Sequence, residues 1–592
     1  MAIKFRKPLG AGVQCKEVYT NIALNDEEFI VKTNQSKLIY EDKEYDSYDG
    51  EHDYNADYDR VHYTDEKKEK KRKFYNNSSG VFRVKDNKEI SRDTYLEKIY
   101  VNRDNSEHKA TIKFKSLSGY SEVTVSRNCY LNKKNLMDLQ KVGLDITHDN
   151  NKYMAEYLRE CEDYTPVRYT HSKLGFSEYN GKMVYKLYSS TDRKSIYDGK
   201  YKIEPKGSRE KYLNMMREQV FGNTELEFSV TVGLSSIILA YLDENLGSPI
   251  VHLVGNSTTG KSTALKLAIS CFGCPNSNYE GLYGTYNGTN NALLKKIGGL
   301  NGVPYALDEI SMSNTENFTK FIYSLANGSD KERLNSDSEL KEKESWLTMI
   351  LSNGEKSIIR SSNKNAGVQI RVIEAENFKW TKSAENADEI NRIIQNNYGF
   401  LGIEFATYIL RKDKNKLINQ YKIVRDDLIK KFESIEINDS MTQRRCNTFA
   451  IIVQIALILQ DMLKVKLDIK GIINMIIRIE ETSLKQRDFK RSAIDFIKQY
   501  VEKNRSKFIE GENIPKYETL GIIRDKEEHS EIQMDKISFV QMIKEGGYED
   551  EKVVLNELKE GGFLNCDIDR YTRKRKNSLG FRAEVVVINL DK

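Results

Sequence analysis

“LVGNSTTGKSTALKLA”, residues 253–268, carries the pattern G-x-x-x-x-G-K-[ST] where “SPIVHLV”, a short apolar run typical of a buried strand, ends. Glycines allow the backbone of such a loop to curl until its N–H groups and the start of the next helix, predicted over Thr263–Phe272, face a phosphate. An ordinary turn with an exposed lysine would explain neither the spacing nor the flanking elements. The pattern therefore predicts a nucleotide-binding loop made of Gly255, Asn256, Ser257, Thr258, Thr259, Gly260, Lys261, Ser262 and Thr263.

“GVPYALDEI”, residues 302–310, is a second apolar run, and it ends in two acidic residues. Asp308 is predicted to hold Mg²⁺ together with Ser262, and Glu309 to be the general base that deprotonates the attacking water. Lys261 would reach the β and γ oxygens of ATP. Any strand could end in Asp-Glu, but the order of this run after the loop favours a hydrolase. ATP and Mg²⁺ are therefore the predicted cofactors, and a small-molecule kinase is weakly supported.

A third strand is predicted over “WLTMILSNGE”, residues 346–355, and Asn353 follows its apolar part. This is the sensor position of AAA+ ATPases, where a polar side chain holds the water beside the γ-phosphate. A plain Asn-Gly turn is the alternative, and this motif alone does not exclude it. The order of the three segments favours the catalytic interpretation.

A charged segment, “SDKERLNSDSELKEKESWL”, precedes this third strand, with turn-forming residues between two charged limbs. The pattern predicts a hairpin. In ring-shaped AAA+ DNA helicases a hairpin at this point enters the central channel and grips DNA. A solvated charged loop is an equally good explanation for any one residue. The DNA-binding candidates are Lys331, Arg333, Lys341 and Lys343.

Together, “GNSTTGKST”, “LDEI”, “SLANGSDKERL”, “LSNGE” and “AGVQIRVIE” resemble the MCM-like AAA+ helicases of mobile genetic elements, including the Cch-type helicases of staphylococcal cassette chromosomes. The resemblance covers roughly residues 170–480. It implies a homohexameric ring with nucleotide between subunits, directional movement on single-stranded or forked DNA, and a C-terminal winged helix. The zinc module of MCM proteins has no counterpart, because the N-terminal cysteines stand alone.

The resemblance also assigns roles to several arginines. Arg371 in “GVQIRVIE” matches the arginine finger that reaches the γ-phosphate of a neighbouring subunit, with Arg360 as a second choice. Arg444 or Arg445 in “MTQRRCNTFA” matches the second sensor arginine of the helical lid, and the sequence leaves both open.

The expected fold class is α/β and multidomain. It comprises a three-layer AAA+ P-loop core, an α-helical lid, an N-terminal α/β domain and a C-terminal winged helix. In the N-terminal domain, strand-like stretches such as “KATIKFKSL” and “SEVTVS” alternate with a helical segment, “NLMDLQKVGLDI”, and in the C-terminal domain “ISFVQMIKEGG” and “EDEKVVLNELKEGGFL” are predicted helices before a two-stranded wing. The predicted boundaries are 1–90 for an arm and charged linker, 91–205 for the N-terminal domain, 206–385 for the core, 386–485 for the lid and 486–592 for the winged helix.

The wing of this last domain is predicted to contact the DNA backbone. Like charges repel when they crowd one turn, so an anion is expected nearby, although a solvated turn is the alternative. The residues concerned are Arg573, Lys574, Arg575 and Lys576. The preceding helix, “EDEKVVLNELKE”, is too acidic to favour reading of bases.

Composition adds a few limits. With 592 residues the chain is too long for one core, and seven scattered cysteines exclude a disulfide framework. The longest apolar run, “FAIIVQIALIL”, falls short of the ~18 residues of a membrane span. The N-terminus has no signal pattern, so a cytoplasmic protein without a membrane partner is expected. Net charge, at +5, does not bear on DNA binding.

Two functions remain in competition. The first is an ATP-dependent DNA helicase that acts in replication of a mobile genetic element. The second is a nucleotide-switched DNA-binding scaffold or initiator that positions replication or recombination proteins of the same element without unwinding. The charged hairpin separates them, because only the motor needs it to couple hydrolysis to movement.

Overall fold

Three hydrophobic cores divide the protein, and they centre on an N-terminal, a central and a C-terminal group of elements. The computed structural model describes residues 18–24, 27–33, 72–242, 246–276, 280–312, 318–329, 344–361, 366–437, 439–487, 489–516, 518–527, 529–546, 548, 551–567, 569–576 and 580–591. The first two ranges form an antiparallel pair, β1 (Val18–Leu24) with β2 (Glu27–Thr33).

The N-terminal core is enclosed by strands and three helices. The elements are β3 (Phe74–Asn77), β4 (Gly80–Arg83), β5 (Lys88–Ser91), β6 (Thr94–Asn102), β7 (His108–Ser116), β8 (Gly119–Ser126), α1 (Arg127–Leu131), α2 (Lys133–Leu136), α3 (Asn151–Cys161) and β9 (Val167–His171). Strands β6, β7 and β8 pair antiparallel, and β9 joins β6 in parallel. The structure confirms the strands predicted here. The helix predicted over “NLMDLQKVGLDI” is only α2 and a 3-10 turn, because Gly143 (φ 94°) ends it.

The next elements link this unit to the centre. They are β10 (Leu174–Tyr179), β11 (Lys182–Lys186), β12 (Ser195–Tyr197) and α4 (Arg209–Met215). Strand β12 pairs with β9, whereas β10 pairs in parallel with a strand of the central unit, and Leu174 and Phe176 belong to the central core. The division between the N-terminal and central cores therefore lies closer to β9 than to residue 205, the predicted domain boundary. The domain boundaries themselves stay a prediction.

A five-stranded parallel sheet forms the centre, in the order β14-β16-β17-β13-β18. Its unit contains α5 (Thr224–Leu242), β13 (Ile250–Val254), α6 (Lys261–Ser270), β14 (Tyr283–Thr285), α7 (Asn290–Ile297), β15 (Leu300–Asn301), β16 (Tyr305–Asp308), α8 (Phe318–Asn327), β17 (Ile350–Gly354), α9 (Ile358–Ser361), α10 (Ala366–Arg371) and β18 (Val372–Glu376). Parallel strands are apolar on both faces, and β13 is accordingly buried throughout. All carboxyl ends meet at one edge.

Two predicted boundaries in this unit were wrong. Strand β17 begins at Ile350 rather than Trp346, because the backbone before it bonds outside the sheet: the N–H groups of Trp346 and Leu347 donate to the carbonyls of Gly328 at 2.8 Å and Leu300 at 3.0 Å. Helix α6 begins at Lys261, two residues earlier than predicted, since Gly260 (φ 85°) turns the chain just before it.

Long helices follow the sheet and share its core. They are α11 (Ala384–Ile394), α12 (Leu401–Leu410), α13 (Lys414–Ser434), α14 (Ser440–Leu463) and α15 (Ile469–Arg487). Both α5 and α14 are long and apolar enough to cross a membrane, but most of each is buried inside the protein. Burial of α14 agrees with the interpretation of “FAIIVQIALIL” as a core helix.

The C-terminal core is enclosed, among the described residues, by three helices and five strands. They are α16 (Phe489–Lys503), β19 (Phe508–Glu510), β20 (Gly521–Asp525), β21 (His529–Asp535), α17 (Lys536–Glu545), α18 (Glu551–Glu560), β22 (Arg573–Lys576) and β23 (Arg582–Asp591). The two predicted helices and the two wing strands are present. The wing is part of a larger sheet, in the order β19-β20-β21-β23-β22.

Candidate nucleotide site and DNA-contacting surfaces

The loop between β13 and α6 is held in shape by residues beyond β18. Gly260 lies against Thr381, and a Cβ built on Gly260 would be 2.6 Å from Thr381 Oγ1. The backbone N–H of Trp380 donates to the Thr259 carbonyl at 2.8 Å. Thr258 also has a positive φ, 68°. Glycine at 260 is therefore required both by its conformation and by the close approach of Thr381.

Lys261 points back into the loop. Its Nζ donates to the carbonyls of Gly255 at 2.8 Å and Asn256 at 2.6 Å. Burial lowers the pKa of Lys261, while the nearby carboxylates of Glu355, Glu309 and Asp308 act in the opposite direction. The ammonium thus lies at the predicted phosphate site, where an incoming phosphate can replace carbonyl contacts with a stronger charged one.

Three predicted residues meet beside the loop. Ser262 Oγ donates to Asp308 Oδ1 at 3.1 Å, and Asn353 Nδ2 donates to Ser262 Oγ at 3.1 Å. Asn353 Oδ1 accepts from the backbone N–H of Glu309 at 2.8 Å. Because β16 and β17 run parallel to β13, their carboxyl ends place these groups together. Glu309 itself has φ 59°, a rare conformation for its type.

The donor set suits Mg²⁺. A serine hydroxyl and a carboxylate are hard oxygen ligands, and Mg²⁺ keeps several waters that need further partners. The Tyr283 hydroxyl of β14 would be one: it is buried and, among the described residues, makes no hydrogen bond within the protein. Burial and the nearby Asp308 carboxylate raise the pKa of Tyr283, so the hydroxyl keeps its proton. Ser262 and Asp308 would hold the ion.

The other predicted loop residues have different surroundings. Ser257 Oγ hydrogen-bonds to the Glu355 carboxylate, and Thr259 Oγ1 donates to the Asn256 carbonyl at 3.2 Å. Thr263 Oγ1 accepts from Asn391 Nδ2 of α11 at 3.0 Å, so this side chain joins two helices.

Sequence reasoning missed a buried polar group beneath the loop. His252 of β13 has its Nδ1 2.9 Å from Ser352 Oγ and its Nε2 2.9 Å from the Lys356 carbonyl. Tyr286 Oη lies 2.7 Å from the same Ser352 Oγ. Burial lowers the pKa of His252 to about 4, so the ring is neutral. The available signal was a histidine and a serine, each inside an apolar run. Only the pairing register of the two strands shows that these residues are neighbours.

Arg371 lies at the opposite edge of the sheet from its own loop. Strand β18 pairs in parallel with β13, Val372 opposite Ile250 and Glu376 opposite Val254. The start of β18 is therefore separated from the loop by the full length of β13, on the order of 15 Å. Arg371 Nε donates to Asn327 Oδ1 at 3.1 Å, and its guanidinium lies over the Tyr323 ring.

The two sensor candidates differ in exposure. Arg444 is exposed on α14, whereas Arg445 is buried and its Nε lies 2.8 Å from Glu480 Oε2. This favours Arg444 for the predicted nucleotide contact, which stays a prediction. Arg360, the second choice for the finger, pairs with Glu376 at the carboxyl edge, beside its own loop.

The wing cations divide into two pairs. Arg575 Nη1 lies 2.6 Å from the buried carboxylate of Glu531, and the pKa of that carboxyl falls to about 2 despite its burial, because cations surround it. Arg573 is half-buried and pairs at 3.8 Å with Asp567. Lys574 and Lys576 alternate with them and are exposed. The hairpin candidates Lys331, Arg333, Lys341 and Lys343 lie outside the described residues.

Comparison with known proteins finds similarity over most of the chain. A solved structure described as SCCmec type IV Cch, an active helicase, matches 88% of this chain and 97% of its own, with a TM-score of 0.71 and 25% identity. A family model described as the Cch helix-turn-helix domain matches residues 488–592. The chain resembles the Cch-type helicases. The predicted resemblance is thereby confirmed, as is a helix-turn-helix domain at the C-terminus of a mixed α/β multidomain protein.

The Cch-like similarity extends well beyond the segments from which it was predicted. A second family model, described as a domain of unknown function (DUF927), matches residues 67–345, which include the nucleotide loop and the Asp-Glu strand. No curated protein matches the chain.

Proposed function

We propose that this protein is an ATP-dependent DNA helicase that acts, in the cytoplasm, in the replication of a mobile genetic element. The observation that supports it best is the placement of the loop and Arg371 at opposite edges of one sheet, in a chain similar to an active helicase. In such a subunit the loop lies at one edge and Arg371 at the other, and Arg360, the arginine beside the loop, is paired with Glu376. A ring of identical subunits, an AAA+ homohexamer, joins the two halves.

In this proposal each residue at the carboxyl edge has a separate task. Lys261 and the loop N–H groups bind the phosphates of ATP, and Ser262 and Asp308 hold Mg²⁺, which neutralises charge on the β and γ oxygens. Glu309 takes the proton of the attacking water, and Asn353, whose Oδ1 accepts from the Glu309 backbone N–H, holds the turn that carries this residue. Arg371 of the neighbouring subunit offsets charge that develops on the γ-phosphate.

DNA would be contacted at two places. The charged segment with Lys331, Arg333, Lys341 and Lys343 is the proposed grip in the channel. The helix-turn-helix domain contributes Lys574 and Lys576, whose exposed ammonium groups suit phosphate contact. Arg573 and Arg575 contribute to the fold of the wing through their carboxylate partners. Single-stranded or forked DNA is the proposed substrate.

The test is unwinding of end-labelled forked, tailed and bubble duplexes with ATP and Mg²⁺. We expect strand separation by the wild-type protein and none by Lys261→Ala or Glu309→Gln, both of which should still sediment as an assembly. Binding and ATP hydrolysis without strand separation on any of the three duplexes would contradict the helicase.

That outcome would favour a nucleotide-switched scaffold or initiator that positions replication or recombination proteins of the same element. The exposed wing cations favour this candidate, since they could hold DNA without a channel grip. Lys341→Ala with Lys343→Ala should uncouple hydrolysis from unwinding in a motor and change nothing in a scaffold. Lys574→Ala with Lys576→Ala should weaken DNA binding and flatten its salt dependence in either case.

A further inference from the structure

A buried ion pair joins two helices behind the arginine finger. Arg445 of α14 and Glu480 of α15 have no side-chain exposure, and their Nε and Oε2 atoms are 2.8 Å apart. Thr442 Oγ1 lies 2.7 Å from the other carboxylate oxygen, Oε1. Burying two charges is costly even when they pair, so apolar residues of similar volume could serve packing alone at least as well. The pair therefore calls for a role other than packing.

The guanidinium of Arg445 also binds the backbone that carries Arg371. Its Nη1 donates to the carbonyls of Gln369 at 2.7 Å and of Val372 at 2.8 Å. These two carbonyls lie on either side of Arg371, at the end of α10 and the start of β18. Carbonyls at a helix C-terminus lack partners within the helix, and a cation there satisfies both their hydrogen bonds and their partial charge.

The side chain of Arg371 contacts α8 and its own helix. Besides Asn327 and Tyr323 of α8, its guanidinium contacts the carbonyl of Gly367, with Nη1 to O at 2.9 Å. Arg445 holds the backbone on both sides of Arg371 through the carbonyls of Gln369 and Val372. A rigid planar fork that bonds a carboxylate and two carbonyls at once defines the position of this turn more closely than a lysine could.

We propose that Arg445, with Glu480, is a positioning residue for Arg371 and acts on ATP only through the turn between α10 and β18. Since Arg371 serves the neighbouring subunit, Arg445 influences hydrolysis at the neighbour's site and not at its own. This inference rests on the proposed function. It replaces the expected nucleotide contact of Arg445 with an indirect one, because its side chain is buried among the partners named above.

Arg445→Lys tests the proposal while keeping the charge opposite Glu480. We expect kcat for ATP hydrolysis to fall about 100-fold, as for a misplacement of roughly 1 Å at a reacting centre, with KM for ATP little changed. Binding of a fluorescent ADP analogue, which reports the subunit's own loop, should stay within about twofold of wild type. Arg392→Lys, which alters an exposed Arg–Glu pair on α11, is the matched control and should leave both measurements unchanged.

Mixed assemblies decide where Arg445 acts. Arg445→Lys subunits have an intact loop, and Lys261→Ala subunits have an intact finger and turn. Mixed in equal amounts, they should regain hydrolysis that neither has alone, as Arg371→Ala mixed with Lys261→Ala should. Recovery with Arg371→Ala but not with Arg445→Lys would overturn the inference alone, since Arg445 would then act in its own subunit. Recovery in neither mixture would overturn the shared site, and the inference with it.

Glu480→Gln separates an indirect role from a direct contact with a neighbour's nucleotide. If Arg445 acts through the pair, Glu480→Gln should lower kcat in the same direction, and the double variant Arg445→Lys, Glu480→Gln should be no slower than Arg445→Lys. Unchanged hydrolysis by a folded Glu480→Gln protein would overturn the inference. Glu480→Gln leaves all hydrogen-bond donors of Arg445 in place. It therefore tests the inference even if Arg445→Lys does not fold.

Discussion

The two edges of the central sheet are built differently. At the carboxyl edge, Ser262 hydrogen-bonds to both Asp308 and Asn353, and Lys261 is bonded to the loop itself. At the amino edge, Arg371 projects from the end of a short helix with an amide, a carbonyl and an aromatic ring as neighbours. The first edge is a connected group of polar side chains, whereas the second presents one cation on a turn that Arg445 holds. A site shared between identical subunits requires two edges that differ in this way. Each variant below alters one of the two edges.

Arg371→Ala has the largest expected effect, because it removes the only contribution of the amino edge. We expect ATP hydrolysis to fall about 10³-fold or more, as for arginine fingers supplied by a second protein. ATP binding by the same subunit should be retained, since its own loop is untouched. Steady-state hydrolysis and equilibrium binding of a nucleotide analogue measure the two quantities. Loss of binding together with hydrolysis would contradict the separation of the edges.

Glu309→Gln acts at the carboxyl edge and should lower hydrolysis about 10²- to 10⁴-fold, the range for loss of a general base. The amide keeps the shape of the side chain, and the Asn353 contact is to the Glu309 backbone, so ATP affinity should not weaken. Single-turnover hydrolysis measures the chemical step. In contrast to Arg371→Ala, this variant should not be rescued by Lys261→Ala subunits in a mixed assembly, because both defects lie at the same edge.

Asn353→Ala should have a smaller effect, on the metal. Asn353 orients Ser262, and loss of a group that orients a metal ligand typically weakens metal affinity about 10- to 100-fold. The Mg²⁺ concentration for half-maximal hydrolysis should rise accordingly, and titration with Mg²⁺ at saturating ATP measures it. Arg371→Ala is the control, since a change at the amino edge should leave the Mg²⁺ requirement unaltered. An unchanged requirement in Asn353→Ala would show that Ser262 needs no such support.

The carboxyl edge was far more predictable from sequence than the amino edge. Its residues follow apolar runs at strand ends, and parallel strands bring their carboxyl ends together, so contiguous motifs were enough to name Ser262, Asp308 and Asn353. Arg371 was named only by resemblance, and the partners of Arg445 lie 35 and more residues away in sequence. The wing shows the same limit. From their charge alone, all four cations of the wing were predicted to contact DNA. Only the strand register distinguishes Lys574 and Lys576 from Arg573 and Arg575.

The smallest predicted effect is that of His252, which lies beneath the carboxyl edge. Its ring is neutral in the folded protein, with a pKa of about 4, and has an ordinary value near 6.5 when unfolded. Below pH 6.5 the unfolded state therefore binds the additional proton, so stability falls as pH falls and the loss stops below about pH 4. At pH 5 the loss from this group amounts to about 2 kcal/mol.

His252→Gln should be less sensitive by that amount when urea unfolding is compared at pH 7 and pH 5. His171, buried in the N-terminal sheet with a pKa also near 4, remains in both proteins and cancels in the comparison. If wild type and variant were equally sensitive to acid, His252 would be protonated within the folded protein.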